Sequence, residues 1–553
     1  MISKKSTVYV IIIVLWLTTC LYFDFTLSQP IAFQANIFAQ VSIISFLLCL
    51  NLFWLYGYYH LIFTLFSWYI SLKPNNRPTS EPANYLTNQQ PKVAILYTTM
   101  NDFQSRSVQS CLLQLYLNYD VYILDDSPDI AYREEIDTFA KEYPGVKVIR
   151  RPNHRGFKAG NLNHCLNQIH GDYEFFAICD ADTVLPPDFL AKTVSCFSQD
   201  DNIGFVQARQ TANPGQKGRF ARIFGFNTDL HWLYYAPVKE KYGFMMFYGH
   251  GAVIRTSAWK DIGGFPEIVT EDLAFSSKLR EKGYYGVLAA NIVCYEDFPE
   301  TYRTLRKRTG KWLTGTMEYL LSYYPALLKS PGVSWVEKAD IMIGAGSLLL
   351  ALPFLLYVFI AGMALPLSQN IFRLNIPLFL ILPDHWSNIG DILTKTEYKV
   401  YWGFDFYLIM LVTSCSQLLP VMRTYWKKPF QMLKFSAMFT YLCLATAITS
   451  SYDLMEYLLT RKTEFAVTGD ASRLKLGSKE KVLIVLELTA GALLLLTAYL
   501  TANVWLLTVG LGIILSPLVF KYDFENKAVN LLLNIPFALN VILLVLIGRS
   551  VGR

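Results

Sequence analysis

Apolar and polar positions separate into long blocks along this chain. Residues 7–23 and 37–70 are almost wholly apolar, 73–338 are polar and mixed, and apolar runs return at 341–365, 401–421, 481–500, 504–520 and 531–547. A helix needs about 20 apolar residues to cross a bilayer, so the pattern predicts spans on both sides of a polar domain. The first run follows Lys4 and Lys5 but lacks a small-residue cleavage site, which favours an anchor over a removed signal. The second is too long for one straight span and reads as a span followed by an aromatic segment, Tyr58 to Tyr69, lying at the membrane surface. Block 433–459 contains Ser450, Ser451, Asp453 and Glu456 and reads as an interfacial or re-entrant helix. The resulting division is 1–71, 72–338, 339–432, 433–479 and 480–553. Counting crossings from a cytosolic N-terminus leaves the polar domain, Arg423, Lys427 and Lys428 in the cytosol. It puts the C-terminus outside, against the preference of Arg549 and Arg553.

Inside the polar block the pattern alternates between strand and helix. Residues 93–99, 121–125, 147–149 and 174–179 predict strands, and 103–117 and 159–169 predict helices. Such alternation implies an α/β, Rossmann-like domain with a mostly parallel sheet covered by helices on both faces. Ligands of such sheets gather beyond the carboxyl ends of the strands. Asp125-Asp126 and Asp180-Ala181-Asp182 both fall at those ends.

Composition adds little to this. The hydrophobic fraction is 53%, mean hydropathy is +0.28, and the net charge of +6 includes no Lys/Arg run that would favour nucleic acid. The nine cysteines form no C-x-x-C pair, as expected of buried thiols in a reducing compartment rather than a zinc site.

Four clusters bear on chemistry, and each has an ordinary alternative. Alternate carboxylates at Asp180 and Asp182 suit a hard divalent cation, Mg²⁺ or Mn²⁺, that also takes phosphate oxygens; an Asp-rich turn would look the same. Lys158 opens a helix and suits a phosphate, or is a solvated lysine. Glu271 and Asp272 follow a Gly-Gly loop and begin a helix, where an exposed carboxylate can act as general base or simply favour the helix start. Arg308, Lys311 and Trp312 offer cations for a pyrophosphate and a flat face for a sugar. An interfacial Trp among positive-inside residues is the alternative.

Taken in order, these residues resemble the processive, membrane-integrated glycosyltransferases of family 2: cellulose synthase, with hyaluronan and chitin synthases as relatives. The likeness runs from about Val93 to Asp470. It includes KAGNLN at 158–163, DADTVLPPDFL at 180–190, GGFPEIVTEDL at 263–273, the basic-Trp patch, and Phe465-Ala466-Val467-Thr468, which looks like that family's gating loop. The resemblance implies a GT-A fold, a cytosolic catalytic domain in the plasma (inner) membrane and a UDP-sugar donor. It also implies a growing polysaccharide as acceptor, the lipid bilayer as surroundings, and envelope or regulatory partners. By resemblance, Thr99, Asp102, Asp125, Asp126, Lys158, Asp180 and Lys311 would bind the nucleotide sugar. Asp180 and Asp182 would hold the metal, Asp182 directly, and Asp272, with Glu271, would supply the base. Trp312, Tyr248 and His250 would line the acceptor path, and Phe465, Val467 and Thr468 would form the gate.

Departures from the family pattern narrow the expectation. The Q-x-x-R-W motif reads Arg308-x-x-Lys311-Trp312, losing a planar fork. The gating loop ends on Asp470 where the family has Lys, and the FCG motif reads Phe247-Tyr248-Gly249. A bulky Tyr248 argues against cellulose and for another β-glucan made from UDP-glucose. No cyclic-dinucleotide-binding domain is expected after 531–547, so such control would need another protein. Two other readings share part of the site: a non-processive transferase that makes a glycolipid, and an export scaffold that binds nucleotide sugar without turnover.

Overall fold

The computed structural model describes residues 6–32, 37–72, 90–216, 218–365, 373–374, 399–400, 404–463, 477–501 and 504–522, with isolated positions between 531 and 538. The polar block folds around a seven-stranded sheet. Its strands are β1 (Val93–Thr99), β2 (Tyr119–Asp125), β3 (Val146–Ile149), β4 (Phe175–Asp180), β5 (Ile203–Ala212), β6 (Ala252–Arg255) and β7 (Tyr285–Glu296). Their order is β3-β2-β1-β4-β6-β5-β7. The first four run parallel, as the sequence pattern implies. Short β6 is antiparallel to both β4 and β5, and β7 is parallel to β5.

β1 is buried along its whole length, as expected of a central strand covered on both faces. Val93, Ile95 and Tyr97 face one core and Ala94 and Leu96 the other. Register decides where the chemistry lands. Thr99 pairs with Asp125 and Thr98 with Asp180, so the acidic strand ends lie level on one edge.

Among the described residues five helices are long and apolar enough to cross a membrane: Thr7–Thr26, Ile37–Leu72, Pro429–Thr460, Ser478–Tyr499 and Trp505–Tyr522. Trp335–Leu348 and Ala351–Ala364 pass the same test as a pair but meet at a 60° bend, so the 341–365 block is not one straight rod. One sequence expectation changes. Ile37–Leu72 is one continuous helix rather than a span plus a separate surface segment. Its aromatic end, including Tyr58, Tyr59 and Phe63, is buried in the seam with Tyr235 and Val238 of the polar domain. Pro429–Thr460, expected as an interfacial or re-entrant helix, is a single 32-residue helix, about 48 Å at the standard rise, long enough to cross a membrane. Ser450 and Ser451 are buried, and Asp453 is paired with Lys479, which makes its polar end compatible with a continuous helix. The expected gating residues Phe465, Val467 and Thr468, and Asp470, lie outside the described residues.

Candidate active site

The carboxyl edge of the sheet opens into a cavity of 1470 Å³ lined by Thr99, Asp102, Lys158, Asp180, Asp182 and Asp272. The same cavity reaches Lys311 and Trp312 on the Tyr302–Ser322 helix and Ile341, Gly344 and Leu348 on Trp335–Leu348. Residues far apart in sequence therefore share one space.

At one end, the turn after β1 shapes the wall. Thr99 Oγ1 and the Met100 N–H both donate to Asp102 Oδ1, each at 2.8 Å. Burial outweighs these bonds and raises the Asp102 pKa. Asp126 also reaches the cavity, but its carboxylate is held as a fork: Arg151 Nε donates to Oδ1 at 2.8 Å and Nη2 to Oδ2 at 2.6 Å. Arg151 Nη2 also donates to Phe157 O at 2.8 Å, tying Asp126 to the start of the Phe157–Ile169 helix. Asp125 does not line the cavity as expected. Its carboxylate points to Arg150 Nε at 2.6 Å and to the Ser127 N–H at 2.8 Å, so it fixes the strand end instead.

Helix Phe157–Ile169 starts with an uncommon backbone. Gly156 has φ 75° and Phe157, a non-glycine, has φ 52°; positive φ in a bulky residue stores strain that often marks a functional site. The next residue, Lys158, pairs with Asp180 and donates to Gly249 O at 2.9 Å. Burial opposes its charge, but Asp180, Glu271 and Asp272 outweigh burial and raise its pKa. In return, Asp180 is lowered to about 2 despite burial, because Lys158, His250 and Lys311 favour the carboxylate.

Asp182 has the opposite balance. Burial, then Glu296 and Asp180, push it up to about 7. The turn bearing it is rigid: the Asp180 N–H donates to Thr183 Oγ1 at 3.1 Å, Tyr97 OH donates to Ala181 O at 3.1 Å, and Val184 bridges to Tyr295 on β7. No group of three or more His, Cys, Asp or Glu arranged to hold a metal occurs among the described residues. The donor set still fits a hard cation that takes most of its ligands from phosphate and water. Two carboxylates bracket one turn, and crowded Asp182 would be relieved of repulsion by positive charge.

His250, expected on the acceptor path, lines the cavity and is also bound to this turn. Its Nδ1 lies 2.9 Å from Thr183 Oγ1 and its Nε2 3.4 Å from Glu296 Oε2. Burial opposes its charge, yet Asp180 and Glu296 raise its pKa. Glu296, at the end of β7, escaped the sequence reading, as did the fork from Arg151. Arg308 stands 3.9 Å from Glu296 and lies over the Trp312 ring at 4.5 Å. Trp312 keeps 37% of its surface exposed. Lys311 is half-buried, and its loss of solvation lowers its pKa against the pull of Glu271 and Asp180.

Glu271 and Asp272 occupy the first turn of Glu271–Glu281, where the helix dipole favours negative charge. Thr270 Oγ1 donates to Gly315 O at 2.8 Å and ties this turn to the Trp312 helix. Burial, reinforced by Asp272, pushes Glu271 to about 7, and burial raises Asp272 as well. The turn before β6 brings Gly249, φ 88°, against both Lys158 and Asp272; a methyl there would sit 3.9 and 3.8 Å from their polar atoms. Tyr248 precedes it, with its hydroxyl 2.9 Å from His231 Nε2.

A strand-end aspartate pair, a half-buried lysine and a helix-start carboxylate thus share one cavity at the edge of a Rossmann-like GT-A sheet. The sequence model of the family described as "Glycosyl transferase family group 2" matches residues 175–450. A curated relative, glucans biosynthesis glucosyltransferase H of Xylella fastidiosa (strain 9a5c), is 23% identical over 320 residues, 53% of this chain and 47% of the relative. The chain thus spans about half the length of that relative. Among solved structures, the mannosyltransferase PcManGT from Pyrobaculum calidifontis, in complex with GDP-Man and Mn²⁺, is 18% identical with a TM-score of 0.45, covering 69% of this chain and 99% of that one. S. aureus TarS is 13% identical with a TM-score of 0.30, covering 66% of this chain and 55% of that one.

Proposed function

We propose that this protein is a processive, inverting glycosyltransferase that polymerises glucose from UDP-glucose into a β-linked, non-cellulose glucan. The product leaves the cytosol through the apolar helices of the same chain, in the plasma (inner) membrane. The observation that carries this reading is the single cavity. Asp102, Asp182, Asp272 and Trp312 line it together with Gly344 and Leu348 of the bent helix pair.

In this reading Asp272 takes the proton of the acceptor hydroxyl. That oxygen bonds to the anomeric carbon as the bond to the UDP oxygen breaks. Raised proton affinity makes Asp272 a stronger base. Lys158, Lys311 and Arg308 set positive charge around the departing diphosphate. Asp182, with Asp180, would hold Mg²⁺ or Mn²⁺, which when bound neutralises charge on the leaving group. Trp312 holds the acceptor ring flat, with Arg308 fixing its indole.

The test is to give the purified full chain radiolabelled UDP-glucose with Mg²⁺ or Mn²⁺, size the product and digest it with linkage-specific glucanases. A β-glucan polymer is expected, and excess EDTA should stop its formation. A short lipid-linked sugar would instead identify a non-processive enzyme, and UDP-glucose binding without UDP release would remove the catalytic reading.

A further inference from the structure

Lys158 is placed by a turn that its backbone would not adopt alone. Gly156 and Phe157 both have positive φ, 75° and 52°, and a bulky residue rarely sits in that region. Such strain persists only where the surroundings hold it. Here Arg151 does so. Its Nη2 donates to Phe157 O at 2.8 Å and its Nη1 donates to Arg155 O, so one guanidinium grips the carbonyls on either side of Gly156. The Asp126 carboxylate holds the same guanidinium from the opposite edge, through Nε at 2.8 Å and Nη2 at 2.6 Å. Only 4% of the Arg151 side chain and 7% of that of Asp126 are exposed.

Gly160 completes the clamp. A methyl added there would come within 2.6 Å of Arg151 Nη1 and 2.1 Å of Arg155 O, so the bare position leaves the notch in which the guanidinium lies. The Gly160 N–H also donates to Gly156 O at 2.7 Å, tying helix to turn. Further along the helix, Asn163 Oδ1 accepts the Phe265 N–H and its Nδ2 donates to Phe265 O, both at 2.8 Å. The body of the helix is therefore held without Arg151. What the clamp decides is the first turn, which carries Lys158 to Asp180 and to Gly249 O.

Arg151 borders the cavity, but among the described residues its hydrogen bonds all go to Asp126 and the two carbonyls. Asp126 also balances its charge, so its effect on a ligand is geometric. A planar fork can serve a carboxylate and two carbonyls together, which an ammonium on a flexible stem cannot. Resting on the function proposed above, we infer that Arg151 is a positioning residue for the diphosphate. It keeps the 155–157 turn in its strained shape and so sets the Lys158 ammonium where the phosphates of UDP arrive.

The experiment measures the affinity of the purified full chain, with Mg²⁺, for uridine and for UDP. Arg151→Lys keeps a cation beside Asp126 but loses the fork. It should weaken UDP binding about tenfold, the size of one lost charge-assisted hydrogen bond, and leave uridine binding within about twofold, the spread expected of uncoupled sites. In a Lys158→Met background the same substitution should no longer weaken UDP, because the group it acts through is gone. Gly160→Ala crowds the clamp with Arg151 intact and should repeat the UDP-selective loss; it decides the matter if Arg151→Lys does not fold. Equal losses for uridine and UDP, additive effects of the Arg151 and Lys158 changes, or unchanged UDP affinity would each overturn the positioning role while the functional reading stands. If the unmodified protein binds no UDP, the functional reading fails and the role of Arg151 fails with it.

Discussion

Asp182 and Asp272 are both carboxylates near the cavity, but their surroundings fit them for different work. Asp182 is crowded by Glu296 and Asp180 and gains from a cation; Asp272 begins a helix and touches Lys158 only through shared field. Asp272→Asn should lower turnover by about a thousandfold, within the range for loss of a general base, while UDP binding measured by calorimetry stays within a factor of two. Lost UDP binding would reassign the residue. Glu271 gives a pH prediction. Its pKa rises from 4.5 to about 7 on folding, chiefly through burial. The folded state therefore binds more protons than the unfolded state between those values, and stability falls as pH rises through that window. In metal-free, donor-free protein, Glu271→Gln should flatten the decline in Tm between pH 5 and pH 7. An unchanged slope would show that other groups govern it. Asp180, Asp182, Asp272 and Trp312 were legible in the sequence because short motifs carry them. The partner of Asp125 is not legible, because nothing in the sequence shows that Arg150, 25 residues later, takes its carboxylate. Glu296 was missed for a similar reason: it closes a strand with no motif of its own.

At the scale of elements, the first four strands were legible because each is apolar and ends in an acidic or turn signal. Strands β5, β6 and β7 were not, since β6 is only four residues long and runs against its neighbours. Helix Ile37–Leu72 reads as two pieces in sequence because its aromatic end resembles an interfacial segment. In the fold those rings pack on the polar domain, so no break is needed. The Gly249 turn is set by its backbone rather than by crowding, since an added methyl would meet only ordinary contacts. Its φ of 88° suits glycine, and a side chain there costs about 1–3 kcal/mol in strain. Gly249→Ala should displace the carbonyl that holds Lys158 and lower turnover at least tenfold, with the helical circular-dichroism spectrum unchanged. Full activity would mean the turn can shift without cost.

At the scale of the molecule, a buried ion pair is among the links that fasten the Trp312 helix to the apolar bundle, beside hydrogen bonds from Tyr302 and Arg303 and a shared apolar cluster. Arg306 Nη1 lies 3.3 Å from Glu487 Oε1 on Ser478–Thr501, and Ser516 Oγ donates to the same oxygen at 3.0 Å. Removing one partner of such a pair costs about 3–5 kcal/mol. Arg306→Met should therefore lower the thermal midpoint in detergent sharply. Adding Glu487→Met should recover much of the loss, because no lone charge stays buried. If the double variant melts no higher than the single, Arg306 acts through packing over Phe520 and Tyr302 instead.

The shared wall also limits how the protein can be simplified for study. A soluble fragment cut near residues 90 and 330 would retain the sheet and its aspartates but lose one bank of the trough, Ile341 through Leu348. Val238 and Tyr235 would be stripped of the partners that shield them from water. Such a fragment could report on nucleotide handling, but acceptor measurements made on it would describe a site lacking one wall.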